Sequence, residues 1–195
     1  MPKPTILALA GSTRTGSFNG KALALAAAAA TEAGAEMTVV NLKDYVLPLY
    51  DADFESEQGL PDAAKALKAL FVAADGLLIA SPEYNSSITP LLKNTLDWVS
   101  RAESDDEAPL QAFSGKTAAL ISASPGALGG LRGLVHLRAI LGNIGVLVLH
   151  QQAAVSSAHT AIGEGPDWSD AAAKKRIASV GKALAEFLLR YHHHS

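Results

Sequence analysis

Five short apolar runs that alternate with five longer helical segments are the feature that most constrains the fold of this chain. The runs consist largely of Ile, Leu, Val and Ala without regular polar alternation, which is typical of strands covered on both faces. We predict strands over residues 5–10, 36–40, 76–80, 116–122 and 146–149. Helical patterns predict helices over residues 18–33, 61–73, 88–101, 129–141 and 170–190, the last with Ser169 as its N-cap.

This alternation predicts an α/β fold with a parallel sheet, because parallel neighbours need a helical crossover. Right-handed crossovers favour a flavodoxin-like three-layer sandwich with a five-stranded sheet in the order 2-1-3-4-5. We expect a single domain over residues 1–191, because the chain has no internal repeat and no long linker. Residues 192–195 look like the remnant of a histidine tag. Two stretches, 51–60 and 151–168, are expected to be mobile loops.

The composition excludes several classes of protein. The chain has no cysteine, so disulfides, cysteine-ligated metal centres and thiol catalysis are excluded, and any redox chemistry needs an organic cofactor. A net charge of −3 argues against a general nucleic-acid binder. No apolar run approaches the roughly 20 residues of a membrane span, and no signal peptide is recognisable. We therefore expect a cytoplasmic protein with neither a nucleic-acid nor a membrane partner.

The ligand of such a sheet binds beyond the carboxyl ends of the strands, near the switch in strand order. The loops that follow the first, third and fourth strands would therefore form one site. These loops span residues 11–19, 81–87 and 123–130, and all three are rich in Gly, Ser, Pro or Asn.

The first loop leads into a helix N-terminus, where free backbone amides and the helix dipole favour an anion. Arg14 adds a guanidinium and Asn19 an amide, and four residues add hydroxyls: Ser12, Thr13, Thr15 and Ser17. This donor set predicts a phosphate monoester, although an ordinary N-capped turn is the alternative. Ser17 stands where a P-loop needs Lys, and Thr13 replaces the second glycine of the dinucleotide fingerprint. Among nucleotide ligands, a mononucleotide phosphate therefore remains compatible with this loop.

The second loop combines Pro82, Tyr84 and Asn85 with several serines. Its backbone amides would bind a polar ring edge while Tyr84 covers an aromatic face. The alternative is a turn that leads into the next helix, with Pro90 in the first helical turn. Glu83 is a candidate acid or base, but a salt bridge is favoured.

The third loop contains small residues, including Ser124 and Gly126, that let the backbone approach a flat ligand closely. Amides near Asn85 and Gly126 would stabilise negative charge on a ring. The alternative is a flexible loop before a helix. Arg132 and Arg138 on that helix are left open to a phosphate, a partner subunit or solvent.

Other residues have simpler interpretations. Trp98 is expected in the core or at an interface, and Asp97 with Arg101 is expected to form a surface pair four residues apart. Three histidines are scattered without metal-ligand spacing and are expected to be structural or solvent-facing: His136, His150 and His159.

Four motifs in order carry a resemblance to a known family. They are Gly11-Ser12-x-Arg14-x-x-Ser17-x-Asn19, then Leu47-Pro48-Leu49-Tyr50-Asp51-x-Asp53, then Ser81-Pro82-Glu83-Tyr84-Asn85 with Leu92-Lys93-Asn94-x-x-Asp97-Trp98, and finally Ser124-Pro125-Gly126-x-x-Gly129-Gly130-x-Arg132. Together they resemble the NADPH-dependent FMN reductase family, which has a flavodoxin-like fold and includes quinone, chromate and azo-compound reductases. The resemblance covers roughly residues 5–150.

The resemblance implies FMN as the cofactor and NADPH or NADH as the electron donor. It implies that the phosphate is held by Ser12, Arg14, Ser17 and Asn19, with Phe18 a further candidate contact. It implies isoalloxazine contacts from Pro82, Glu83, Tyr84, Asn85, Ser124 and Gly126. It also implies a homodimer or homotetramer, with the helix over residues 88–101 at or near an interface.

The function implied is an FMN-dependent oxidoreductase that passes two electrons from a nicotinamide to a quinone, a flavin, an azo compound or a metal oxyanion. No side chain needs to act as a nucleophile, because the cofactor supplies the chemistry. The alternative is a flavodoxin-type electron-transfer module without its own NAD(P)H oxidation. Classical flavodoxins are strongly acidic and bracket the ring with aromatics, so a charge of −3 and 6% aromatic residues favour the enzyme.

Overall fold

A computed structural model describes residues 3–163 and 168–192 of the chain. Its centre is a five-stranded parallel sheet in the order β2-β1-β3-β4-β5, so the predicted strand order is confirmed. The strands are β1 (Thr5–Ala10), β2 (Glu36–Val40), β3 (Gly76–Ala80), β4 (Thr117–Ala123) and β5 (Leu147–Val155).

Helices cover both faces of the sheet. They are α1 (Phe18–Glu32), α2 (Ala52–Gln58), α3 (Asp62–Ala73), α4 (Pro90–Val99), α5 (Leu131–Asn143), α6 (Ala158–Ala161) and α7 (Ala171–His192), with a short 3-10 helix at Leu42–Asp44. Alternate side chains of β1 explain the layering, because Ile6 and Ala8 pack toward α1 and α7, whereas Leu7 and Leu9 pack toward α3, α4 and α5. The three-layer sandwich predicted from the sequence is therefore confirmed.

The contact between α1 and α7 depends on a glycine. A Cβ atom placed on Gly181 of α7 would lie 1.9 Å from the carbonyl oxygen of Ala26 in α1. No side chain fits there, so the two helix backbones approach each other closely and cover one face of the sheet.

The prediction of a mobile loop over residues 51–60 is wrong, because this stretch contains α2. Asp51 caps the helix, and its Oδ1 accepts hydrogen bonds from the N–H groups of Asp53 (2.8 Å) and Phe54 (3.0 Å). The ring of Phe54 packs edge-on against Trp98, with centroids 6.0 Å apart. Trp98 is fully buried, as expected for a core position, and its Nε1 donates to the carbonyl oxygen of Pro48 at 2.7 Å.

The prediction of a mobile loop over residues 151–168 is also wrong for the first part of that stretch. Strand β5 continues to Val155 because it pairs with β4 up to Ala123, after a shift in register between Ala118 and Leu120. The short helix α6 follows, and residues 164–167 lie outside the described residues.

Several predicted boundaries also move. Asp170, not Ser169, caps α7, because its Oδ1 accepts from the N–H of Ala173 at 2.9 Å. Helix α4 begins later than predicted, because the hydroxyl of Thr89 accepts from the N–H of Leu92 and caps it. Of the residues interpreted as a tag remnant, 193–195 lie outside the described residues.

Candidate functional site

The three predicted loops meet at the carboxyl edge of the sheet and enclose a cleft of about 200 Å³. The cleft brings together every predicted cofactor-binding residue except Asn85 and Gly126. Its lining comprises Ser12, Arg14, Ser17, Phe18, Asn19, Pro82, Glu83, Tyr84, Ala123, Ser124 and Pro125. The switch between β1 and β3 in the strand order places the first and second loops side by side.

The first loop forms an open turn at the N-terminus of α1. Ser17 caps the helix, and its Oγ accepts from the N–H of Gly20 at 3.3 Å. The guanidinium of Arg14 lies 5.2 Å from the centre of the Phe18 ring and donates to the carbonyl oxygen of Gly16 at 3.4 Å. Arg14 is exposed, and the space beside the α-carbon of Gly16 is open. An anion therefore has access to this turn.

The donors of this turn suit a phosphate group. The backbone N–H groups in the first turn of α1 have no partner within the helix and carry the positive end of its dipole. Arg14 adds a planar cation and Ser12 a hydroxyl, whose oxygen already accepts from the N–H of Arg14 at 3.3 Å. These groups fit the phosphate monoester that the sequence predicts.

Asn19 has a structural role that sequence analysis missed. Its buried side chain donates from Nδ2 to the carbonyl oxygen of Ala123 at 2.8 Å and accepts from the Ala123 N–H at 3.0 Å. This pair of bonds joins α1 to the last residue of β4. One hydrogen on Nδ2 remains for a ligand, so the predicted phosphate contact stays a prediction.

The second loop contains a tight turn in a strained conformation. Tyr84 and Ser87 exchange two backbone hydrogen bonds of 2.9 and 3.0 Å. Between them Asn85 and Ser86 have φ values of 50° and 69°, the positive values that a type I′ turn needs at both central positions. The N–H groups of the two central residues take no part in this exchange. Tyr84 is 56% exposed at the mouth of the cleft.

Glu83 forms the salt bridge that the sequence analysis favoured, and its partner is Arg132. Its Oε1 accepts from Nε of Arg132 at 2.8 Å, and its Oε2 accepts from the N–H of Gly133 at 3.1 Å. Burial raises the pKa of Glu83, but the hydrogen bonds from Arg132 and Gly133 outweigh it, so the pKa lies below its ordinary value. At neutral pH the carboxylate is therefore charged and already accepts hydrogen bonds from Arg132 and Gly133. Both properties argue against a role as a general acid or base.

The carboxylate of Glu83 also caps the N-terminus of α5, although Glu83 belongs to the second loop. Gly130, the N-cap residue of α5, has no side chain to offer, and a Cβ there would lie 1.8 Å from Oγ of Ser122. Ser122 in turn donates to the carbonyl oxygen of Ser81 at 2.7 Å. The second loop is therefore anchored from β4 and from α5.

The third loop is tightly folded around its glycines. A Cβ on Gly129, whose φ is 62°, would lie 2.7 Å from the backbone of Val155 and Ser156. The N–H of Gly126 donates to Oγ of Ser124 at 3.2 Å. This bond lies within the loop, and the expected role of the Gly126 amide toward a ring stays a prediction.

Three further charged residues that the sequence analysis singled out have structural partners. Arg138 donates to the carbonyl oxygens of Val148 and Leu149 at 3.0 and 2.8 Å, in the irregular part of β5. The predicted pair of Asp97 and Arg101 is wrong. Asp97 binds Lys93 at 2.7 Å, and Arg101 binds Glu55 at 2.8 Å, because α2 brings that carboxylate over α4.

Two further observations concern the described ranges 3–163 and 168–192 only. Within them, no three His, Asp or Glu side chains form a group that could hold a metal ion. No helix in the same ranges is long and apolar enough to cross a membrane.

The fold and the cleft together define an α/β protein of the flavodoxin type, with an open first loop at the N-terminus of α1 beside a second loop that is anchored from β4 and α5. Residues 4–160 match the sequence model of a family described as NADPH-dependent FMN reductase. Because the match spans most of the chain, this protein belongs to the NADPH-dependent FMN reductase family.

Individual relatives agree with this assignment. A quinone reductase of Escherichia coli strain K12 is 38% identical over 152 residues, which are 76% of this chain and 75% of the relative. An NAD(P)H-dependent FMN reductase of Pseudomonas aeruginosa is 38% identical over 157 residues, or 80% of each chain. The solved structure of an NAD(P)H:(acceptor) oxidoreductase from Paracoccus denitrificans superposes with a TM-score of 0.79 at 24% identity, covering 96% of this chain and 98% of that one. That likeness shows the fold.

Membership of the family makes the protein an oxidoreductase with FMN as its cofactor and NAD(P)H as its electron donor. The family, the enzyme class and the cofactor expected from the sequence are therefore confirmed.

Proposed function

We propose that this protein transfers two electrons from NAD(P)H to a small acceptor, with a quinone as the leading acceptor class. Relatives named quinone reductase and 2-hydroxy-1,4-benzoquinone reductase support this choice. Free flavins, azo compounds and metal oxyanions such as chromate are further acceptors within the proposal. The observation that carries it is the gathering of residues from the three predicted loops around one cleft.

The first loop holds the cofactor in this proposal. Ser12, Ser17 and the free N–H groups at the start of α1 bind the FMN phosphate, and Arg14 neutralises its charge. Arg14 is well placed for this because its guanidinium is already held along the turn by Gly16 and the Phe18 ring. Phe18 and Asn19 complete the wall of the cleft, and Asn19 has one amide hydrogen left to donate.

The second and third loops hold the ring. Bound FMN supplies the hydride chemistry, since it accepts two electrons from a nicotinamide and passes them to an acceptor. The N–H groups of Asn85 and Ser86 bind the polar ring edge, because the type I′ turn leaves them without a partner across the turn. Pro82, Tyr84 and Ser124 line the apolar and polar sides of the ring position. Glu83 keeps the second loop in place through Arg132.

A visible spectrum followed by anaerobic titration tests the proposal. Purified protein loaded with FMN should show flavin absorbance, and stoichiometric NADPH or NADH should bleach it within the time of a turnover. Quinone addition should restore the absorbance. A protein that binds FMN but is not reduced by either nucleotide would support the flavodoxin-type module, and a protein that takes up no FMN would overturn both readings.

The quaternary structure and the location are also proposals. A homodimer or homotetramer is supported by exposed apolar side chains next to α4, where Val46 is 83% and Leu49 80% exposed. Light scattering of the purified protein tests this, and a monomer at micromolar concentration would contradict it. The single domain over residues 1–191, the cytoplasmic location and the lack of nucleic-acid and membrane partners stay predictions.

A further inference from the structure

A second cleft lies on the other side of the first loop. Its volume is about 560 Å³, within the range of small-molecule sites. The first loop forms one wall, α1 forms the floor, and the end of β2 with the following 3-10 helix forms the opposite wall. Neither the sequence patterns nor the proposed flavin site uses the β2 side of this cleft.

The lining of the second cleft suits an anionic group attached to an apolar one. Arg14, Lys21 and Lys43 contribute to it, and the described residues that line it include no Asp or Glu. Lys21 donates to the carbonyl oxygen of Gly163 at 2.9 Å and so is already engaged. The apolar side is formed by residues at the end of the edge strand, where Val39 is 59% exposed. An exposed apolar side chain beside two lysines matches a phosphorylated nucleoside better than a bare inorganic ion.

Lys43 is the cation in the wall of this cleft that lies opposite the first loop. It is exposed, and its Nζ has no hydrogen-bond or ion-pair partner within the described ranges 3–163 and 168–192. Its position is set by Asn41, whose Oδ1 accepts from the Lys43 N–H at 3.1 Å and caps the 3-10 turn.

The two clefts lie on either side of the first loop and share part of its lining. Ser12, Arg14 and Ser17 line both of them. A nicotinamide dinucleotide carries an adenosine phosphate half beyond its nicotinamide mononucleotide half. If its nicotinamide lies over the ring position at the second loop, its other half can follow the first loop past Arg14 into the second cleft.

We propose that the second cleft binds the adenosine 2′,5′-bisphosphate half of NADPH, with Lys43 paired to the 2′-phosphate and Val39 against the adenosine. This inference rests on the proposed function, because it assigns the donor site of that reaction. It gives the protein a preference for NADPH over NADH, since only NADPH carries the 2′-phosphate.

Titration calorimetry of FMN-loaded protein with adenosine 2′,5′-bisphosphate and with 5′-AMP tests the site without any turnover. The bisphosphate should bind more tightly than 5′-AMP, and Lys43→Ala should weaken its binding about tenfold, as expected for one charge-assisted hydrogen bond. Lys65→Ala is the matched control, because Lys65 is exposed on α3 and does not line the cleft. Equal affinity for the two probes, or an unchanged affinity in Lys43→Ala, would overturn the inference.

A second experiment distinguishes the proposed 2′-phosphate site in the second cleft from the FMN phosphate site. If the bisphosphate binds FMN-free protein but not FMN-loaded protein, it occupies the FMN phosphate position, and the inference is wrong. In turnover, the ratio of KM for NADPH to KM for NADH should rise about tenfold in Lys43→Ala and stay constant in Lys65→Ala. If the protein binds the bisphosphate through Lys43 but oxidises neither NADPH nor NADH, the inference about the second cleft stands and the proposed function is refuted.

Discussion

The first and second loops lie side by side in one cleft but are held in place by different means. The first loop, residues 11–17, keeps its cation exposed and has few bonds to the rest of the fold. The second loop, residues 81–87, is fixed by the ion pair of Glu83 with Arg132, and by the bond from Ser122. It also contains two residues at positive φ. The first loop is open to a ligand, whereas the second loop is anchored to β4 and α5.

The difference is consistent with the ligand groups proposed for the two loops. A phosphate brings its own charge, so a helix N-terminus and one guanidinium suffice, and the ligand itself completes the order of the loop. A flat ring edge offers weaker, directional contacts, so the donors that meet it need to be in place beforehand. Strain in the second loop is consistent with this, since such conformations persist only where the surroundings impose them.

The largest expected effect comes from removing the two hydrogen bonds of Asn19 with Ala123, which anchor the start of α1 behind the first loop. Asn19→Ala removes both bonds to Ala123 and leaves a buried N–H and C=O without partners, so we expect a loss of about 2–3 kcal/mol in the free energy of unfolding. Urea denaturation of FMN-free protein measures it. Asn143→Ala, at an exposed helix end, should change stability by less than about 0.5 kcal/mol. Equal stability of the two variants would show that the anchor is not needed.

Arg14→Ala addresses the open loop itself. The side chain is exposed, so the stability of the FMN-free protein should not change, but FMN affinity should fall roughly 10- to 100-fold through loss of one charge-assisted contact to phosphate. Fluorescence titration of FMN measures the affinity. Arg176→Ala on α7 is the control for loss of one positive charge. Unchanged FMN affinity in Arg14→Ala would refute its phosphate role.

Glu83→Gln tests the anchoring of the second loop through its pH dependence. The pKa of Glu83 lies below its ordinary value in the folded state, so its contribution to stability is present above the pKa of the unfolded chain and is lost as pH falls through the folded pKa. At pH 7 we expect Glu83→Gln to be less stable by about 1 kcal/mol. The gap between wild type and variant should close as pH falls below about 4.3, the ordinary value of a glutamate.

The matched control for Glu83→Gln is Glu55→Gln. Glu55 also has a lowered pKa and an arginine partner, Arg101, but this pair joins α2 to the chain just after α4, and Glu55 does not line the cleft. Both variants should show the same closing gap in acid, whereas only Glu83→Gln should weaken FMN binding. A stability difference for Glu83→Gln that is constant from pH 7 to pH 3 would contradict the ion pair.

The smallest expected effect comes from relieving strain in the second loop. Ser86 has a φ of 69°, which glycine adopts without steric cost, so Ser86→Gly should stabilise the FMN-free protein by up to about 1 kcal/mol. Thermal denaturation measures it. Ser104→Gly, at an exposed position without positive φ, should be neutral or slightly destabilising. A loss of stability in Ser86→Gly would show that the Ser86 side chain matters more than its backbone strain.

Much of the site could be predicted because its loops follow from the fold. Unbroken apolar runs identify the strands, and the parallel order then brings residues 11–17 and 81–87 together without any knowledge of side-chain contacts. The helix α2 was missed because its stretch is polar and short, although Asp51 is a cap and Gly59, with a φ of 71°, ends it. Those two residues are the signal from which α2 could have been found.

The sequence by itself determined the class of fold, the three loops and the kind of ligand, because these depend on local patterns and on a few rules of chain topology. Only the tertiary structure decided which polar groups satisfy one another. Asn19 meets Ala123 across 104 residues, and Glu83 meets Arg132 across 49. Many partners in a chain of this length have compatible chemistry, and it is the packing of helices on the sheet that brings one of them within hydrogen-bond distance.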